Sequence, residues 1–179
     1  INRYNVQGGN SKMATTEMLK IQFYDSYNML KEIVRICPDE LWYSENHGLP
    51  VWNHIIHTLM GSAFWLRENY NDEFQCGFPF PKELGEKIIN NDWVNISDGF
   101  LTKAEMQRCL DYLDEKLEGF WNVVNDDILN KNTWEGHSFT YLSVISAQIR
   151  HIMCHVGMCN AALIENGFDE VEWIAYGEN

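Results

Sequence analysis

Apolar residues recur at steps of three and four along four long stretches of the chain, the spacing that lays a single stripe along a helix of 3.6 residues per turn. In the first, Met13 to Ile36, the stripe is carried by Met18, Leu19, Ile21, Phe23, Tyr24, Tyr27, Leu30, Ile33 and Val34. Cys37-Pro38 ends it, because a residue before proline is pushed out of the α region. The second begins at Pro50, whose fixed φ and missing N–H suit a first helical turn, and carries Ile55, Ile56, Leu59, Met60, Ala63 and Phe64 toward Tyr70. It is expected to lie antiparallel to the first. The third starts at Thr102, with Glu105 three residues on as a capping-box signature, and runs through Met106, Leu110, Leu113, Leu117, Phe120, Trp121 and Val124 to Leu129. The fourth spans Ser138 to Asn166, with Gly167 where a left-handed C-cap is expected. No run alternates with the period of two that a half-buried strand shows, so the class is all-α.

Between Asn71 and Gly99 the pattern breaks at Gly77, at Phe78-Pro79-Phe80-Pro81, at Gly85 and at Asn90-Asn91-Asp92, leaving room for one short helix over Lys82–Ile89. So long a connection lets two consecutive helices run the same way, which predicts a four-helix bundle of up-down-down-up order with its crossover between the second and third helices. Residues 13–179 read as a single domain whose tail, 168–179, folds back through Val171, Trp173, Ile174 and Tyr176. The first residue is Ile, and residues 1–12 read as a flexible lead before Met13.

Composition narrows the function more than the fold. With 179 residues, 45% hydrophobic and 22% charged, the chain suits one globular core. Its 26 acidic side chains against 13 basic ones leave a net charge of −13, which repels phosphate backbones and anionic lipid and argues against a nucleic-acid or membrane partner. No apolar run approaches the ~20 residues that cross a bilayer and the opening residues resemble no export signal, so a cytoplasmic location is expected. Five cysteines without CxxC spacing read as reduced, buried thiols rather than a disulfide framework or a zinc ribbon. Glycine-rich phosphate loops, GxSxG elbows and HExxH helices are absent from the sequence.

The histidines are the strongest chemical signal. His151 and His155 sit four apart in the most apolar helix, on one face and about 6 Å from each other, so both can reach one divalent ion. The pair alone fits hydrogen-bonded core histidines equally well. The second helix adds His54 and His57 on an apolar face, and three imidazoles from two neighbouring helices make a site with open positions, as catalytic metals have. Neutral imidazole suits zinc, nickel, copper or iron. His47 and His137 fall in expected loops and read as solvated, or as lining the mouth of the site.

The run from His155 through Val156, Gly157, Met158, Cys159, Asn160, Ala161, Ala162, Leu163, Ile164, Glu165 and Asn166 to Gly167 resembles the last-helix signature of the DinB-like superfamily. In that signature a His-Arg-Gly-Gln run precedes small and apolar residues and a terminal Gly, with another His four places earlier, here His151. Trp52 to Leu66 is similar to the second-helix signature, a His followed eight residues later by Trp and then Leu, which His57, Trp65 and Leu66 fit and His54 does not. Val156 and Met158 stand where the family has Arg and Gln.

The resemblance implies a metal site of His57, His151 and His155 for a divalent transition metal, zinc or nickel foremost, and a homodimer. It also implies a small-molecule substrate, such as a low-molecular-weight thiol, with the metal activating thiol or water for group transfer or hydrolysis. The alternative is a non-catalytic, stress-associated bundle in which the histidines are structural. His54 and Cys159 are candidates for contacts around the ion, and Trp52, with Trp42, Trp134 and Tyr43, for a pocket wall. At the reference imidazole pKa of ~6.5, metal release is expected below about pH 6.

Overall fold

A computed structural model describes residues 13–46, 48–79, 84–85 and 101–175. The lead over residues 1–12, most of the expected helix at 82–89, His47 and Tyr176 lie outside the described residues. Among the described residues the chain is all-α, built on four long helices: α1 (Thr15–Ile36), α3 (Val51–Trp65), α4 (Lys103–Val123) and α5 (Tyr141–Glu165). Between α1 and α3 lie one short helix, α2 (Asp39–Trp42), and a two-residue antiparallel ladder, β1 (Glu45–Asn46) and β2 (Leu49–Pro50), paired Glu45 to Pro50 and Asn46 to Leu49. Neither α2 nor the ladder has a periodic signature, since four residues or two are too few to show one.

Each helix end has a local cause. At α4 the Thr102 side chain accepts from the Glu105 amide while Glu105 accepts from the Thr102 amide, the expected capping box. Thr140 and Ser143 form the same reciprocal pair at α5, which starts at Tyr141 rather than Ser138 because Thr140 is extended and takes the cap. Gly167 adopts φ +81°, and its amide reaches the Ile164 carbonyl while that of Phe168 reaches Leu163, a Schellman closure. Two helices stop short of the expected ends. α3 ends at Trp65 rather than Tyr70 because Leu66 leaves the α region and the Tyr70 hydroxyl folds back to donate to the Trp65 carbonyl at 2.6 Å. α4 ends at Val123 rather than Leu129, where Val124 turns extended and the Asn125 side chain accepts from the Asp127 amide.

α1 packs chiefly against α5 and α4, and α3 against the same two. The core between them is Phe23, Tyr27, Leu30 and Ile33 of α1, Ile55, Ile56 and Leu59 of α3, Leu113, Leu117 and Phe120 of α4, and Ile145, Ile152 and Leu163 of α5, all fully buried. Burial of each such side chain is worth roughly 1.5–3 kcal/mol. Polar ties fix the register: Thr15 and Thr16 amides donate to the Asp126 carboxylate at 3.0 and 2.7 Å, Lys31 pairs with Asp114 at 2.8 Å, and the Lys103 ammonium meets the Cys37 carbonyl. Of the expected tail contacts, Val171 is buried and its backbone is held on both sides by the Asn160 amide, whereas Trp173 is 68% exposed. No described helix is long and apolar enough to cross a membrane.

Candidate metal centre

At 100° per residue, His54 and His57 of α3 lie about 60° apart on the wheel, and both face α5, where His151 and His155 stack one turn apart. The structure brings His57, His151 and His155 into a triangle: the ring centroids are 5.0, 4.9 and 4.9 Å apart, and one donor atom of each lies within 4.8 Å of the others. His57 Nε2 and His151 Nε2 are already 3.1 Å apart. Two imidazole nitrogens bound at about 2.0–2.1 Å to a tetrahedral ion stand ~3.3 Å from each other, so this donor set fits a divalent cation after small rotations of the rings. All three side chains are half-buried.

The site's electrostatics follow from burial. Desolvation, with His151 and His54 close by, pushes the His57 imidazole down to about 4. Desolvation with all three histidine neighbours takes His155 down to about 3, and desolvation lowers His151 as well. The rings therefore stay neutral, with lone pairs available, well into mild acid.

His54 takes a different place. It is 4% exposed, and its Nδ1 lies 3.1 Å from Nδ1 of His155, so it touches a member of the triangle from behind rather than joining it. Cys159 is fully buried outside the triangle, its thiol pushed up to about 12 by desolvation with Cys37 nearby, which opposes the thiolate a metal binds. Trp52 is core, 2% exposed, and Trp42 is buried with its indole N–H donating to the Leu101 carbonyl at 2.7 Å, so neither walls an open pocket. Trp134 belongs to an aromatic cluster with Phe64, Trp65 and Tyr70 over which the Arg67 guanidinium lies, and Tyr43 is exposed. His137 is exposed and stacks on Phe139. A cavity of about 300 Å³ opens beside Arg67, Lys116 and Tyr112, and none of the three histidines lines it.

Two residues of the site carry no sequence reading. Gln148 is 5% exposed and its Oε1 lies 3.3 Å from His151 Nδ1. Gly61 faces the same ring: a Cβ there would stand 3.0 Å from His151 Cε1. The available signals were a polar residue three before a histidine in an apolar helix, and a glycine four after one.

No family model, curated protein or solved structure matches the chain.

Proposed function

We propose that the chain is a divalent-metal-binding four-helix bundle of the DinB-like kind, working as a metal-dependent enzyme on a small molecule. The observation that carries this reading is the convergence of His57, His151 and His155 from two helices, with donor atoms within 4.8 Å of one another and no carboxylate among them. The order up-down-down-up is supported by pairings along the helices. Thr16 meets Asp126 while Cys37 meets Lys103, so α1 and α4 run oppositely. His54 meets His155 while His57 meets His151, so α3 and α5 do too. Trp42 meets Leu101 while Glu68 lies over Gly119, so α3 and α4 run together.

When bound, a divalent ion, zinc or nickel first, lowers the pKa of a coordinated thiol or water and supplies a nucleophile near neutral pH. The chain's part is to hold three neutral nitrogens in place and so leave the ion a coordination position for the substrate, for which a low-molecular-weight thiol is the first candidate. Homodimerisation and a reducing, cytoplasmic setting belong to the same reading, and the five free thiols suit the latter.

The test combines metal analysis of tag-free protein with thiol-transfer and hydrolysis screens on the wild type and His57→Ala. Expected are about one equivalent of first-row metal per chain and metal-dependent turnover that the variant loses. Less than about half an equivalent after reconstitution overturns the site. Metal binding without turnover, with unfolding on metal removal, assigns instead a structural ion. Val156, buried where the DinB-like signature has Arg, and Met158 in place of Gln favour that second reading, because neither offers the substrate a polar group.

A further inference from the structure

We infer that Gln148 is a positioning residue of the metal centre: its side-chain carbonyl keeps the His151 proton on Nδ1 and so turns the Nε2 lone pair toward the ion. The inference rests on the metal reading above but also concerns the metal-free protein. His151 presents Nε2 to His57 Nε2 at 3.1 Å, so Nε2 is the nitrogen that faces the triangle. A neutral imidazole carries one proton, and Nε2 can bind a cation only if that proton sits on Nδ1. A proton on Nδ1 needs an acceptor, and the group beside it is Gln148 Oε1 at 3.3 Å, three residues earlier on the same face of α5.

Two further features show that this pair is built in. Gln148 is 5% exposed in a helix whose other buried residues are Val144, Ile145, Ile152, Val156, Cys159, Ala162 and Leu163, where an amide is costly unless it is bonded. Gly61 of α3 forms the surface against which ring and amide both rest: a Cβ at that position would lie 3.0 Å from His151 Cε1, 3.3 Å from its Nδ1 and 3.6 Å from Gln148 Oε1. The missing side chain lets α3 approach closely enough to hold the imidazole and its acceptor in one plane of contact. At 3.3 Å the bond is long for N–H···O, and an ion drawing on Nε2 strengthens it by making the Nδ1 proton more acidic.

Two readouts on the full chain test this. Long-range ¹H–¹⁵N spectra of the metal-free protein at about pH 7.5 report the His151 tautomer, and chelator competition reports zinc affinity. The wild type and Gln148→Glu, which keeps an acceptor, are expected to hold the Nδ1–H form and to bind zinc with similar strength. Gln148→Leu is expected to mix tautomers and to bind zinc roughly 10–100-fold more weakly, with unchanged helical circular dichroism. Should leucine disturb the fold, Gln148→Met removes the acceptor at nearly the same length. A wild-type His151 protonated mainly on Nε2, or a leucine variant that binds zinc as tightly as wild type, overturns the inference. If the wild type holds the Nδ1–H form but binds no zinc, the metal reading fails while the role of Gln148 in fixing the tautomer stands.

Discussion

An imidazole has two nitrogens and only one can face an ion, so the neighbour of the other decides how well the ring serves as a ligand. His54 reaches His155 directly, Nδ1 to Nδ1 at 3.1 Å. His54→Phe fills similar space without the nitrogen, and zinc affinity is expected to fall about tenfold while the protein stays folded, whereas His57→Ala removes a member of the triangle and should cost at least a hundredfold. Equal losses from the two variants by chelator titration would contradict the different places given to them. Gly61→Ala separates stability from function: alanine favours the helix by up to ~1 kcal/mol, yet its methyl displaces the His151 ring. Zinc affinity is expected to drop about tenfold, with no fall in the apo melting temperature. The i,i+4 pair His151 and His155 was legible because helix geometry alone places both on one face. The third member of the triangle was legible only through the resemblance, whose His-to-Trp spacing His57 fits and His54 does not, since helix periodicity alone puts both on much the same face. Gln148 and Gly61 left no trace in the pattern, because a single polar residue or glycine in an apolar helix has many uses.

Where the residues that close a helix have a familiar spacing, the boundary could be read from the chain; where they do not, it could not. Thr102 and Glu105 bond each other across three residues, and Gly167 supplies a positive φ that needs no partner, so both boundaries were visible. The ends of α3 and α4 depend on Tyr70 reaching back to Trp65 and on the extended Val124, and the apolar pattern runs past both. Thr102→Ala removes the hydroxyl that accepts from the Glu105 amide while leaving the Thr102 amide on Glu105, and is expected to cost about 1 kcal/mol, a fall of roughly 2–4 °C in melting temperature for a chain of this size. Zinc affinity should not change, because α4 contributes no member of the histidine triangle. A loss of metal on this substitution, measured beside the melting curve, would show that the helices are coupled more tightly than their separate faces suggest.

At the level of the whole molecule the histidines make stability depend on pH. In the unfolded chain they protonate near 6.5, whereas in the folded metal-free protein His57 does so near 4 and His155 near 3. Between those values the unfolded state binds more protons, so the contribution is fully present above about pH 6.5 and is lost as pH falls toward 3. The apo melting temperature should be level above about pH 7 and decline below 6, and less steeply in His155→Asn. The same depressed values predict that added zinc still raises the melting temperature at pH 5, where free imidazole is mostly protonated.

The 3.1 Å contact between His57 and His151 joins positions 94 apart in the chain. During synthesis the imidazoles of α3 therefore emerge well before those of α5, and the cluster can close only once α5 has left the ribosome. Occupancy of the complete site would therefore track folding, and a metal that binds only the folded chain would stabilise it by an amount that grows with the logarithm of its free concentration, and that a chelator takes away.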